Sequence, residues 1–254
     1  MQKQTLWGII AVGIIAGGIV LYAVRGPVPA NTAEAPTLSG GRYTEHATYY
    51  DILANYPADT PLRTSVNAAA DAAAVALMKN FVSDTIVQFK TDGKFDRLTP
   101  TDISMMGFDK GRRETLKIVY LMASSPRTAS FAFTTYVDTL GAHGNTFFHT
   151  FMFDTVTGAR LTLRDLFVPG ADYLSKLSEE ARARLPAIIG NGADTSMIAA
   201  GTAPEDKNFS AFLFDNRDLL ILFAPYAVAP YSAGPQTLRI PTSNLKDILK
   251  PEYR

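Results

Sequence analysis

Few residues in this chain are of types that do chemistry, and their spacing limits what each can do. His143 and His149 lie six apart, so on one straight strand they would face the same way and could share a metal with a carboxylate such as Asp154. The Gly141–Asn145 punctuation predicts a turn that breaks this alignment, and His46 is too distant in sequence to add a ligand, so no metal site is expected. Asp154 and Asp165 could frame a general acid and base, yet Asp154 introduces a turn and Asp165 precedes the apolar pair Leu166-Phe167. Ser243 and Lys246 match S-x-x-K, in which a lysine deprotonates a serine one helical turn away. They have no K-T-G or S-D-N partner, and helix capping is the reading. G-x-S-x-G, G-x-G-x-x-G, Walker A and H-E-x-x-H patterns are all absent. The chain has no cysteine, which excludes disulfides, thiolate zinc sites and Cys nucleophiles. No catalytic residue and no cofactor is expected.

Aromatic side chains are the more informative set. Fifteen Phe and eleven Tyr concentrate in strand-like runs, where core packing is their ordinary role. The tract Phe223–Pro235 (FAPYAVAPYSAGP) differs, because its three prolines forbid a central strand and place Tyr226 and Tyr231 in a loop. A tyrosine in a loop offers a large, rigid contact surface at low entropic cost. Tyr226 and Tyr231 are therefore the candidates for ligand contact, with Gly234 permitting the turn into the next strand. The competing reading folds both rings under to close the core beside Phe223.

The elements that must position these residues follow from periodicity. Tyr43–Tyr56 reads as an extended strand ending at Pro57. Val66, Ala70, Ala73, Leu77 and Phe81 recur at steps of three and four, which predicts a helix with one buried face running to about Phe89, capped by Ser65 or Asn67. Thr115–Ala123, Thr128–Leu140 and Asn145–Asp154 are rich in Thr, Val, Phe and Tyr and predict an antiparallel meander. A helix follows over about Tyr173–Leu185, then strands at Asn208–Phe214, Leu219–Phe223 and Thr237–Ile240, and a short helix at Asn244–Leu249. The fold class is α+β, antiparallel sheets with helices packed on one face.

Leu6–Val24 (LWGIIAVGIIAGGIVLYAV) carries no charge or proline and is long enough to span a bilayer, with Trp7 and Tyr22 near its ends. It reads as a transmembrane anchor. A cleaved signal peptide ending near Val28-Pro29-Ala30 is the rival, against which the length of the apolar run counts. Only five residues precede the span, which suits a signal-anchor with the C-terminal bulk outside the cytoplasm. Gly13 and Gly17 form G-x-x-x-G, a spacing through which two such helices can form a homodimer. Gly26–Gly41 lacks large apolar residues and reads as a spacer. The formal charge is zero, with 24 Lys plus Arg against 24 Asp plus Glu, which disfavours a nucleic-acid partner.

Gly158–Phe167 (GARLTLRDLF), Asn208-Phe209 and the Phe223–Gly234 stretch occur in the order seen in a known family. Residues from Thr157 onward resemble the C-terminal domain of RsiV-type anti-sigma factors and related envelope proteins. Tyr43–Leu140 is similar to the non-catalytic domain that precedes it there and in PdaC-type peptidoglycan deacetylases. To the cytoplasmic residues 1–5, the anchor at 6–24 and the spacer at 25–42 already read from the residues, the resemblance adds a PdaC N-terminal-like domain at 43–140 and an RsiV C-terminal-like domain at 141–254. It further implies an extracytoplasmic, membrane-tethered module that binds an envelope partner, a muramidase such as lysozyme or peptidoglycan, without catalysis. Two features depart from these families. Five residues leave no room for a cytoplasmic sigma-binding segment, and no T-F-D-D-G-type esterase motif is present. A cell-wall hydrolase or deacetylase-like enzyme with an unrecognised site, and a purely structural envelope protein, are the alternatives.

Overall fold

The alanine-rich run after Asn67 forms α1 (Ala68–Gly93), whose buried face carries Ala74, Met78, Val82, Ile86 and Phe89. This stripe is shifted by one position from the expected one: Leu77 and Phe81 only flank the core, and Ala73 is exposed. Alanines on every side of the helix leave little contrast from which to read the face. The computed structural model describes residues 33–59, 62, 68–215 and 217–254. The expected span, its Gly13 and Gly17, and the proposed helix caps Ser65 and Asn67 lie outside them. Among the described residues no helix is long and apolar enough to cross a membrane.

Beneath α1 lies a sheet of β1 (Arg42–His46), β2 (Tyr50–Asn55), β3 (Glu114–Ser124), β4 (Thr128–Asp138), β5 (Asn145–Asp154) and β6 (Arg160–Leu161), arranged in chain order. The meander β3–β4–β5 matches its expectation closely. Two corrections apply further upstream. Tyr43–Tyr56 is a hairpin and not one strand: the Glu45 carboxylate accepts from both the Tyr43 and Tyr50 hydroxyls and pairs with Lys90 of α1 at 2.6 Å, tying both strands to the helix. The sheet is mixed, because β2 and β3 run parallel. Residues between them form α1 and α2 (Pro100–Met106), the crossover that parallel neighbours require. Part of the expected spacer also lies on the domain, since Leu38 packs against this core and the Tyr56 hydroxyl donates to the Ser39 carbonyl at 2.8 Å.

Strands β4 and β5 serve both faces of the sheet. Ala129, Phe131, Phe133, Phe151 and Phe153 join the α1 core, whereas Met152 belongs to a second core. That second core is built by α3 (Tyr173–Ile189), α4 (Thr195–Gly201) and an antiparallel sheet of β7 (Phe212–Phe214), β8 (Asp218–Phe223) and β9 (Gln236–Pro241). The expected division at 140/141 falls between β4 and β5, which pair over ten positions, so the first sheet continues to Leu161. Helices therefore do not lie on one face only, because the second unit covers the other side of the sheet. Two more expectations need adjustment. Asp206–Phe209 is a 3-10 turn and delays β7 to Phe212. The last helix expected at Asn244–Leu249 is not formed: a 3-10 turn at Thr242–Asn244 is followed by irregular turns over 245–248, in a segment that still buries Leu245 and Leu249.

The seam between the units is polar at its centre. The Ser130 hydroxyl donates to the Phe214 carbonyl and accepts from the Phe214 amide, both at 3.2 Å. Thr150 accepts from the Phe212 amide at 3.3 Å, and Thr128 donates to the same Phe214 carbonyl at 3.4 Å.

Candidate ligand-contact site

The three prolines of the Phe223–Pro235 tract keep it out of both sheets, and it runs as a loop from the end of β8 to a short 3-10 turn at Tyr231–Ala233. The loop is seated against α4, where Gly201 has no side chain to keep the Ala227 carbonyl away: a Cβ there would stand 1.8 Å from that oxygen. From this seat the loop reaches the β4–β5 turn of the first sheet. The Tyr231 hydroxyl donates to the Gly144 carbonyl at 2.7 Å, and its ring stacks on His143 with centroids 3.8 Å apart. Tyr226 leans over the same imidazole, its hydroxyl 3.4 Å from His143 Nε2 and its ring 5.6 Å from that of Tyr231. Behind them Tyr136 fills the space that a side chain at position 144 would need.

Tyr226 has φ of 69°, a left-handed conformation uncommon for a bulky residue, and it is 46% exposed. Such strain costs on the order of 1–3 kcal/mol and persists only where the surroundings enforce it, commonly at functional sites. Tyr231 is half-buried. Neither ring closes the core beside Phe223; that role falls to Val228 and Ala229. The two candidates are thus brought together as an aromatic platform with His143, a partner that sequence reasoning had assigned only to a turn.

Other sequence candidates are engaged elsewhere. His149 stacks on Phe81 of α1 at 4.4 Å, and burial, aided by the Arg160 charge, pushes its pKa down to about 4, so it is neutral at pH 7. Asp154 pairs with Arg127 at 2.7 Å and accepts from the Val156 and Thr157 amides. Asp165 closes a capping box with Thr162. Ser243 and Lys246 are exposed and share no regular helix. Among the described residues no group of three or more His, Cys, Asp or Glu could hold a metal ion.

A buried carboxyl that sequence reasoning missed lies at the start of β3. Glu114 is 6% exposed, and burial, with Asp138 nearby, pushes its pKa up to about 7. An acid raised in the fold keeps its proton while the unfolded chain loses it, so stability falls as pH rises from about 4.5 to 7 and is level above. Glu114→Gln is expected to match the parent at pH 4 and exceed it at pH 8 by about 1–2 kcal/mol in urea melts, solvent screening having reduced the Asp138 contribution. Equal midpoints at pH 8 would refute it.

Residues 164–243, which include β7, β8, the tyrosine loop and β9, match the family model described as protein of unknown function DUF3298. That stretch is similar to the DUF3298 family. It is also 30% identical over 224 residues to the peptidoglycan-N-acetylmuramic acid deacetylase PdaC of Bacillus subtilis (strain 168), an alignment covering 88% of this chain and 43% of PdaC. The chain thus spans less than half the length of that relative. A crystal structure of a DUF3298 family member from Bacteroides fragilis superposes with a TM-score of 0.56 at 17% identity, covering 82% of this chain and 91% of that one. A DUF3298 family protein from Pseudomonas aeruginosa PAO1 gives a TM-score of 0.46 at 16% identity, covering 87% and 97%.

Proposed function

We propose that this is a membrane-anchored, extracytoplasmic envelope protein whose DUF3298-like stretch is a non-catalytic binding module for peptidoglycan or for a muramidase that acts on it. The observation that carries the reading is the exposed Tyr226, held at positive φ beside Tyr231 and His143. The similarity to a relative named for acting on peptidoglycan supports the choice of ligand. So does the expected anchor at residues 6–24, through which Gly13 and Gly17 would pair two copies. The RsiV-type resemblance belongs to the same reading.

The test uses the full chain in mild detergent, incubated with purified sacculi and separately with lysozyme. Tyr226→Ala is expected to weaken sedimentation or complex formation by tenfold or more while shifting stability by under about 1 kcal/mol, because the exposed ring leaves no cavity. Tyr231→Phe, which loses one hydrogen bond, is expected to cost about 0.5–1.5 kcal/mol of stability. Unchanged binding in both variants would remove the platform from the reading. Soluble fragments or deacetylated sugar released at every stage of purification would replace the binder with an enzyme.

A further inference from the structure

Strand β3 has eleven residues, yet β2 pairs with it only from Glu114 to Ile118. A proline sets that limit. The Glu114 amide donates to the Tyr49 carbonyl at 2.9 Å, so the even-numbered residues of β3 turn their backbone groups toward β2. Odd-numbered residues of β2 answer them, and the next in that series is Pro57, which has no N–H for the Tyr120 carbonyl. The Tyr56 amide belongs to the other series and donates to the Gly41 carbonyl at 2.9 Å, on the β1 side. Beyond Ile118 the N–H and C=O groups of Tyr120, Met122 and Ser124 therefore face an open edge about 20 Å long, with no partner among the described residues.

Proteins ordinarily blunt such an edge with a charge, a proline or a bulge. None of these is present: residues 118–125 are uncharged and free of proline, and the pairing with β4 runs to Ser124 without a break. Leu121 is 66% and Met122 46% exposed, one on each face of the strand. Lys117 and Arg42 stand at the end of the edge where β2 stops. Strand alternation puts both on the face away from α1, since Leu116, Ile118 and Tyr43 take the other. Both are exposed, and neither has an ion-pair partner among the described residues.

We propose that this edge takes an extended segment of a partner protein as an added antiparallel strand, about five uncharged β-forming residues followed by an acidic pair that reaches Lys117 and Arg42. Antiparallel pairing is the more stable per residue, and it brings the C-terminal end of the segment to the basic end of the edge. Main-chain hydrogen bonds supply the affinity, and the charges fix the direction. A second copy of this chain fits poorly. Engaging all three residues would set Met122 opposite itself and lay the copy's β3–β4 turn where Ala54 and Leu53 already pair with Ile118 and Lys117. The edge uses none of the residues of the tyrosine platform.

The probe is a peptide of alternating valine and threonine that ends in two aspartates, capped at both termini and titrated into the full chain in mild detergent. Saturable binding is expected, with hydrogen exchange slowed at the Tyr120, Met122 and Ser124 amides and unchanged at Val119, Leu121 and Ala123, which β4 already holds. Ending the peptide in two lysines is expected to weaken binding about fivefold or more, and Lys117→Glu with Arg42→Glu to reverse that preference. Met122→Pro removes an outward amide but no donor to β4, and is expected to weaken binding about tenfold or more. Two N-methylated peptides, one blocked at every valine and one at every threonine, serve where Met122→Pro fails to fold: one must lose binding and the other keep it. Tyr226→Ala must bind the peptide as the parent does, whatever the fate of its peptidoglycan binding. No saturable binding at millimolar concentration, slowed exchange elsewhere than at the three amides, or equal binding of both N-methylated peptides overturns the proposal. So does a dimer that forms without peptide and is abolished by Met122→Pro, which would give the edge to a second copy.

Discussion

Asp154→Ala is expected to destabilise the protein by about 3 kcal/mol, one of the two largest effects of a single substitution foreseen. Asp154 ends β5 with both carboxylate oxygens occupied: Oδ1 accepts from the Val156 and Thr157 amides at 2.8 Å each, and Oδ2 receives Arg127 Nη2 at 2.7 Å. The alanine variant strands two turn amides and a half-buried guanidinium whose Nε already lacks a partner among the described residues. Burial pushes the Asp154 carboxyl up, but the two amides and Arg127 outweigh it and leave it below its ordinary value. An acid depressed in the fold contributes stability that is present above its unfolded value near 4 and lost as pH falls through the folded one. The penalty of Asp154→Ala should accordingly be full at pH 7 and shrink on acidification, which chemical melts at a series of pH values would register. A penalty under about 1 kcal/mol at pH 7 would show that the pair is solvated.

Gly201→Ala is expected to be the other large effect, and it acts on the site from a distance. The added methyl would overlap the Ala227 carbonyl and crowd Val228, which is fully buried in the second core. Backbone cannot rotate away as a side chain can, so the loop must move or α4 must. Overpacking of this kind costs about 1–3 kcal/mol and sometimes more. Because the loop carries Tyr226 and Tyr231, the variant should also lose the Tyr231 contact with Gly144, seen as altered aromatic shifts of His143. A variant with parent-like stability and parent-like His143 shifts would show that α4 yields instead of the loop.

The β3–β4–β5 meander was legible in the sequence because its strands are rich in Thr, Val, Phe and Tyr, and because Ser-Ser-Pro-Arg and Gly-Ala-His-Gly punctuate them. The parallel pairing of β2 with β3 was not. It depends on where a 26-residue helix returns the chain, which no local pattern encodes. Missing α2 and α4 has a simpler cause, since both have seven residues, too few to establish a period. For the site, the prolines identified the loop and its two tyrosines. His143 could not be paired with them because the contact spans 88 residues of sequence to Tyr231 and rests on hydrogen bonding to a backbone carbonyl. Gly201 and Glu114 left no signal at all: the first matters only through a neighbour's backbone, the second only through burial.

The hydroxyls of Ser130, Thr128 and Thr150 have an implication for how the chain reaches its folded state. Strand β7 pairs with β8 on one side, and on the other its Phe212 amide, Phe214 amide and Phe214 carbonyl meet side chains instead of another strand. Those side chains come from β4 and β5, so the edge is sealed only once the first sheet exists. Until then β7 offers a neighbouring molecule three apolar residues and open backbone groups, a template for runaway self-association. Chain order limits this exposure, since β4 and β5 leave the ribosome before β7 is made. Severed from the first sheet, the C-terminal part would lose that chaperoning in cis and would be prone to aggregate.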